Sequence, residues 1–335
     1  MFLLCTRQYE AAISGITEHE QHPGMSHIYP IGGGKGGTGK SFITVNLGSL
    51  LAGQGNRVVL VDLDLGGSNL HTLLGIKNPR PGIHEFLTKE CKSLDQVVLP
   101  SNIPNLHMIA SMNCSLEIAN LFHAQKLKII RAVQRLPYDY ILLDLGAGTN
   151  FNTLDFFLTS PEGLFVFTPE PTSIENAFRF VKAVCLRRLK QILKQEAFAS
   201  ITRELLDHGE ERPIGSVSDI IEFVMGRDGD RGRLLKAQLG HVRFNFVLNQ
   251  FRDQVDGDLG NKIERVFNRH FYSGFKFLGH VSYDERVHDA VYSQKVFVKK
   301  FPFTLAATDL QRIAEKVKEP GGSVRNLPVS PQAGI

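Results

Sequence analysis

At 335 residues, the chain is long enough for two domains of about 150 residues or for one large α/β domain. Hydrophobic residues make up 42% and charged residues 21%, which are globular proportions and exclude a disordered or collagen-like chain. The formal charge of +4 is too small to establish nucleic-acid binding, and no apolar run approaches the ~18 residues that cross a bilayer.

The first 24 residues end in the polar stretch EHEQHPG, directly before Met25 and a strand-like segment. We interpret residues 1–24 as an extension that is either disordered or the product of a mis-called start, with Met25 as the true first residue. A short docking helix and a packed element remain alternatives.

A glycine-rich loop follows the first predicted strand, His27–Ile31, and precedes an apolar-periodic helix, SFITVNLGSLLAGQG. From Gly34 the spacing is G-x-x-x-x-G-K-S, which is the pattern of a phosphate-binding loop. Glycines let the backbone approach phosphate closely, while successive N–H groups and the helix N-terminus supply positive potential. We expect Lys40 to reach the β- and γ-phosphates and the Ser41 hydroxyl to bind Mg²⁺. The predicted nucleotide-binding residues of this loop are Gly34, Lys35, Gly36, Gly37, Thr38, Gly39, Lys40 and Ser41.

Lys35 lies inside the loop and gives the sequence KGGTGKS, which resembles the deviant phosphate loop of the MinD/ParA ATPases. The resemblance implies ATP and Mg²⁺ as ligands. It also implies that Lys35 reaches across a dimer interface to the partner's nucleotide and acts in catalysis together with Lys40. The alternative for Lys35 is a solvated loop charge.

Two further apolar strands end in carboxylates. The first, RVVLVDLD, ends in Asp62 and Asp64, which lie two apart and therefore face the same side of a strand. The second, YDYILLDLGAGT, ends in Asp144 and continues into glycines. Ligands of an open α/β sheet bind at these carboxyl ends. The alternative for each Asp is a helix or turn cap after the strand.

The resemblance assigns roles to these residues. It places Asp62 in the water shell of Mg²⁺, lets Asp144 hold Mg²⁺ through water, and gives Asp64 the catalytic role of positioning the attacking water. Gly146 and Gly148 would form a switch that senses the γ-phosphate. Leu145 departs from the small polar residue or proline common in the family.

Later segments favour one branch of the family. LGGSNLHTLLG after Asp64 resembles the D-x-G-x-x-N-L pattern of MinD and FlhG, whereas ParA proteins usually have D-P-Q there. LFVFTPEPTSIENAFRFVKA is similar to a strand and helix of the FlhG-like group. Asn249 lies at the end of an apolar strand where the family places its adenine-reading Asn. Ser282 stands where the family usually has a proline in its base-binding loop.

The chain also carries segments outside the family pattern. We interpret residues 186–240 as a helical insertion and residues 319–335 as a disordered tail. Nothing in that tail has the apolar face of a membrane-lying helix. Basic residues near the insertion could form a solvated face, the favoured reading, or touch a membrane, DNA or an acidic partner: Arg179, Lys182, Arg187, Arg188, Lys190 and Lys194.

The pattern of elements predicts an α/β fold. Apolar strands alternate with helices, which predicts a doubly wound, mainly parallel sheet with helices on both faces, as in P-loop NTPases. One ATPase domain would span residues 25–318. Predicted strands follow the loop near residues 57–63, 105–110, 139–144, 164–168, 243–248 and 275–281.

The resulting hypothesis is a slow, partner-stimulated ATPase that acts as a molecular switch and dimerises with ATP and Mg²⁺. Its unknown partner would be a regulatory protein, with a flagellar GTPase or a transcription factor favoured by the FlhG-like segments. A ParA-like partitioning ATPase that binds nonspecific DNA is the alternative. Four scattered cysteines without a CxxC pair exclude an iron–sulfur carrier of the Mrp type and favour a cytoplasmic location, with contact at a membrane or cell pole left open.

Overall fold

One eight-stranded sheet forms the centre of the molecule in a computed structural model that describes residues 26–111, 121–209 and 217–318. The strand order is β3-β4-β2-β5-β1-β6-β7-β8. Every pair of neighbours is parallel except β3 and β4. The strands are β1 His27–Gly32, β2 Val58–Leu63, β3 Leu99–Pro100, β4 Leu106–Ile109, β5 Tyr140–Leu145, β6 Glu162–Phe167, β7 Arg243–Phe251 and β8 Gly274–Ser282.

Helices and short connections link these strands. Within the described residues, two 3₁₀ turns, Leu94–Val97 and Glu196–Phe198, accompany them. The helices are α1 Lys40–Gly53, α2 Leu70–Leu73, α3 Ile83–Leu87, α4 His123–Val133, α5 Phe151–Phe157, α6 Pro171–Leu193, α7 Ala199–Gly209, α8 Val217–Arg227, α9 Gly229–Gly240, α10 Leu259–His270, α11 Arg286–Tyr292, α12 Phe297–Lys300 and α13 Leu305–Lys318.

The sheet is covered on both faces, and strand β2 shows why. Val58 and Leu60 belong to one apolar cluster, whereas Val59 and Val61 belong to another. Successive side chains of a strand point to opposite faces, so a strand that is apolar at every position is buried between two layers. Helices α1 and α13 line one cluster, and α6 and α10 line the other. The predicted doubly wound, mainly parallel α/β fold is confirmed.

Strand β3 is absent from the strands that the sequence predicts. It has two residues and pairs antiparallel with β4 at the edge of the sheet. Such a short segment has no periodicity that could separate it from a loop.

The predicted insertion begins within a continuous helix rather than at an element boundary. Helix α6 runs without a break from Pro171 to Leu193, so the boundary at residue 186 falls inside it. Leu189 and Ile192 beyond that boundary are fully buried in the same core as the first half of the helix. Helices α8 and α9 pack on α6. The interpretation of residues 186–240 as an insertion into the family fold stays a prediction.

The favoured interpretation of the six basic residues in and just after α6 as one solvated face is wrong for two of them. Arg187 donates two hydrogen bonds to Asp155 of α5, at 2.7 and 2.8 Å. Arg188 is partly buried, and this burial lowers the pKa of its guanidinium. Apolar neighbours on both sides of these positions turn this part of the helix toward the core.

The extension at residues 1–24 and the tail at residues 319–335 lie outside the described residues. Within the three described ranges, every helix is too short or too polar to cross a membrane.

Candidate functional site

The glycine-rich loop joins β1 to α1 at the carboxyl edge of the sheet. Gly37 and Gly39 have φ values of +77° and +88°, a left-handed conformation that glycine adopts without steric cost. A Cβ placed on Gly34 would lie 2.2 Å from the backbone oxygen of Asn176, because the loop passes close to α6. These positions explain why the loop consists so largely of glycine.

The loop holds a buried cation. Lys40 is 8% exposed, and its Nζ donates one long hydrogen bond of 3.4 Å to the carbonyl of Lys35. Burial lowers the pKa of the Lys40 ammonium, whereas the carboxylates of Asp144 and Asp64 act to raise it. A buried ammonium with one long hydrogen bond has the capacity to bind an anion.

An unpartnered hydroxyl lies in the same loop. Thr38 Oγ1 is buried and has no hydrogen-bond partner within the described residues. Buried polar atoms are satisfied in nearly all proteins, so this orphan atom indicates a place for a ligand oxygen. The buried Lys40 and this hydroxyl together fit the phosphates of a nucleotide.

Asp144 is hydrogen-bonded to two hydroxyl groups of α1. Ser41 Oγ donates to Asp144 Oδ2 at 2.6 Å, and Thr44 Oγ1 donates to Asp144 Oδ1 at 3.1 Å. Burial, and then the charge of Asp62, raises the pKa of Asp144 to about 7, although the two hydroxyl donors act to lower it. Hydroxyl and carboxylate oxygens are the ligands that Mg²⁺ prefers. The donor set therefore fits a Mg²⁺ ion beside Ser41.

Asp62 lies next to Asp144 on the adjacent strand, in direct register with it. Its carboxylate accepts hydrogen bonds from Ser68 Oγ at 2.7 Å and Ser111 Oγ at 3.2 Å. It also accepts from the backbone N–H of Asp64, at 3.1 Å, and so organises the loop that follows β2. Burial raises the pKa of Asp62 to about 6, although these hydrogen bonds act to lower it.

Asp64 is partly exposed at the mouth of the site and lies against the predicted switch. A Cβ added to Gly146 would be 3.1 Å from Asp64 Oδ1. Gly148, with a φ of +93°, donates its N–H to the carbonyl of Gly33 at 3.2 Å. The segment after β5 is thus connected to both the phosphate loop and Asp64.

Asn249 contacts the phosphate loop. It is 4% exposed and donates from Nδ2 to the carbonyl of Thr38 at 2.9 Å. Its neighbour Gln250 donates from Nε2 to the carbonyl of Gly37 at 3.2 Å. Sequence reasoning did not predict either contact, and the adenine-reading role of Asn249 stays a prediction. Ser282, at the departure from the family pattern, donates to Asp309 Oδ2 at 2.7 Å.

The structure brings most of the predicted residues to one edge of the sheet, at the carboxyl ends of β1, β2 and β5. Lys35 is exposed. Sequence reasoning missed Thr44, Ser68 and Ser111, which bind the two buried carboxylates. Thr44 follows Ser41 by three residues and so shares its helix face, which is a signal that the sequence contains.

Comparison with known proteins identifies the family. A family model described as the CobQ/CobB/MinD/ParA nucleotide binding domain matches residues 30–297. The chain belongs to this family. The predicted resemblance to MinD/ParA proteins is therefore confirmed, and the CobQ/CobB/MinD/ParA domain covers the phosphate loop, both acidic strand ends and Asn249.

Individual relatives in this family include a regulator and a cell-division protein. The chain is 25% identical over 293 residues to the antiactivator FleN of Pseudomonas aeruginosa, a match covering 87% of this chain and 85% of FleN. It is 30% identical to the septum site-determining protein MinD of Helicobacter pylori, over 59% of this chain and 75% of that protein.

Solved structures show the same fold. MinD from Pyrococcus horikoshii in complex with Mg-ADP superposes with a TM-score of 0.60 at 20% identity, covering 88% of this chain and 97% of that one. A ParA family ATPase from Chlorobium tepidum superposes with a TM-score of 0.58 at 18% identity, covering 87% and 98%.

Proposed function

We propose that this protein is an ATP- and Mg²⁺-dependent molecular switch that hydrolyses ATP and regulates a partner protein. The observation that carries the proposal is the buried Lys40 ammonium beside the Ser41–Asp144 pair, where the hydroxyl-to-carboxylate distance is 2.6 Å. The cation for phosphate and the hydroxyl for a metal lie on adjacent residues at the start of α1, and the carboxylate comes from the end of β5.

The residues divide the chemistry among them. The loop N–H groups and Lys40 would bind the β- and γ-phosphates, and Ser41 with Asp144 would hold Mg²⁺, supported by Asp62. Bound Mg²⁺ would neutralise phosphate charge during phosphoryl transfer to water. The carboxylate of Asp64 accepts no hydrogen bond from the described residues, so it is available to orient water at the mouth of the site.

Dimerisation would complete the site. Lys35 is exposed, which suits contact with a second protomer. Two protomers that close face to face on ATP would each add Lys35 to the other's nucleotide. Hydrolysis would open the dimer, so the nucleotide state would determine which surfaces are presented.

The partner is proposed to be a regulatory protein. FleN, which matches along most of both chains, is named an antiactivator. A solved complex of MinC with MinD from Aquifex aeolicus, similar in fold at a TM-score of 0.55 and 17% identity, pairs a family member with a partner protein. We therefore expect the partner to be a transcription activator or a flagellar GTPase. The two proteins would meet in the cytoplasm.

The test compares Asp64→Ala with Lys40→Ala. The Asp64→Ala protein should bind ATP, accumulate as a dimer and hydrolyse ATP at least about a hundredfold more slowly, because water is no longer oriented. Lys40→Ala should lose nucleotide binding. Titration calorimetry, light scattering and phosphate release measure these three properties.

Two results would contradict the proposal. A monomeric Asp64→Ala protein in saturating ATP and Mg²⁺ would remove the switch. ATP-dependent, salt-sensitive binding to nonspecific DNA would favour a partitioning ATPase over a regulator of proteins.

A further inference from the structure

Strand β7 ends beside the phosphate loop with an extra residue. Leu248 pairs with His280 and Phe251 pairs with Ser282, so β7 advances by three residues while β8 advances by two. This is a β-bulge, a feature that re-aims side chains at the end of a strand. The two residues inside the bulge are Asn249 and Gln250.

Gln250 adopts a conformation that most residues avoid. Its φ is +57°, in the left-handed region where a side chain other than that of Gly or Asn is sterically costly. The cost is retained where the surrounding structure requires the conformation, and such positions cluster at functional sites. In this case the conformation aims the amide of Gln250 at the carbonyl of Gly37.

Two consecutive carbonyls of the phosphate loop are thus held by two consecutive side chains of β7. Gln250 donates to Gly37 at 3.2 Å, and Asn249 donates to Thr38 at 2.9 Å. Space at this contact is tight, since a Cβ on Gly39 would lie 2.1 Å from Asn249 Nδ2.

The geometry of the peptide bond converts these contacts into an orientation of donors. In a trans peptide the C=O of one residue and the N–H of the next point in opposite directions. When the carbonyls of Gly37 and Thr38 point toward β7, the N–H groups of Thr38 and Gly39 point away from it. Neither N–H group has an acceptor among the described residues. Free N–H groups flanked by left-handed residues form a concave anion site.

We propose that Gln250 is a positioning residue that holds the phosphate loop in its binding conformation through the carbonyl of Gly37. Gln250 does not itself touch phosphate. This inference rests on the proposed nucleotide binding and extends it to a residue for which neither the loop motif nor the adenine-reading Asn gives a role.

The experiment separates the hydrogen bond from the backbone conformation. Gln250→Met keeps the length of the side chain and removes the donor. Gln250→Lys keeps a donor, and Gln250→Gly removes both the donor and the cost of the positive φ. Gln294 provides a matched control because it is also a glutamine with positive φ, at +53°, after α11.

We expect Gln250→Met and Gln250→Gly to weaken Mg²⁺-ADP binding about three- to tenfold, the effect of one lost hydrogen bond. Gln250→Gly should nonetheless melt at or above the wild-type temperature without nucleotide, because glycine accepts this backbone freely. Gln250→Lys should bind ADP close to wild type. Gln294→Gly should gain stability without a change in ADP affinity.

Calorimetry with ADP and thermal unfolding of the nucleotide-free protein measure both properties. ADP affinity within about twofold of wild type in Gln250→Met and Gln250→Gly would overturn the proposal. An equal loss in Gln250→Lys and Gln250→Met would also overturn it, because the donor would then be irrelevant. If wild type itself does not bind ADP, the proposed function fails as well, and this outcome is separate from the first two.

Discussion

Asp144 illustrates how a single residue can lower the stability of a protein and still suit a candidate metal site. It is 1% exposed, accepts two hydroxyl hydrogen bonds and lies in register with a second buried carboxylate, Asp62. Two adjacent carboxylates in a buried place repel each other when both are ionised. The pair is therefore unfavourable for the nucleotide-free protein and favourable for binding Mg²⁺.

This predicts a pH dependence of stability that Asp144→Asn reduces, while the part that comes from the buried Asp62 remains. The pKa of Asp144 is raised from 3.8 to about 7 in the folded protein, so the folded state holds a proton that the unfolded state releases. That stabilisation is complete below the unfolded pKa and is lost as the pH rises through the folded pKa. From pH 5 to pH 8, the free energy of unfolding of wild type should fall by about 1 to 3 kcal/mol relative to that of Asp144→Asn. Urea unfolding in EDTA measures this difference.

Asp139→Asn is the control, at the residue before β5. Burial acts against ionisation there, but hydrogen bonds from Arg57 hold the pKa of Asp139 below its ordinary value. Its stability difference from wild type should therefore stay constant over the same pH range. Parallel curves for wild type and Asp144→Asn would contradict the assignment of the shift to Asp144.

At the scale of elements, an ion cluster ties three helices of one face together. Asp155 of α5 is nearly buried and binds both Lys126 of α4 and Arg187 of α6. Helix α5 begins three residues after Gly148, so this cluster fixes the helix that the predicted switch leads into.

Arg187→Met should therefore destabilise the protein by about 2 to 3 kcal/mol, because Asp155 loses two of its hydrogen bonds while it stays buried. Arg179→Met is the matched control on the same helix. Its partner Glu175 is exposed, and exposed pairs contribute less than about 1 kcal/mol. Urea unfolding of both variants measures the contrast, and equal effects would show that the buried cluster adds nothing.

The elements also show what the sequence could reveal. Apolar runs and acidic strand ends predicted the main strands, and the spacing of glycines with Lys40 and Ser41 predicted the phosphate loop, because these signals are local. The contact of Thr44 with Asp144 joins residues a hundred positions apart. The bulge at Gln250 and the burial of Arg187 depend on neighbours in space in the same way. Only the folded sheet brings these groups together.

At the scale of the whole molecule, Lys35 is exposed at the phosphate loop and is therefore accessible to a second protomer. If Lys35 acts on the partner's nucleotide, two inactive proteins should restore each other. Lys35→Ala keeps Asp64 but supplies no lysine to its partner. Asp64→Ala supplies Lys35 but cannot hydrolyse its own ATP. In a mixed dimer, the site of the Lys35→Ala protomer would contain its own Asp64 and the Lys35 of the Asp64→Ala protomer.

An equal mixture should then recover about a quarter of wild-type turnover, since half of the dimers are mixed and each has one complete site of two. Phosphate release from the mixture, compared with each variant alone, measures this recovery. A mixture of Lys35→Ala with Lys40→Ala should recover less, because a protomer without nucleotide does not close. No recovery in the first mixture, with mixed dimers shown by light scattering and a tag exchange, would place Lys35 at its own site and remove the dimer from the catalytic step.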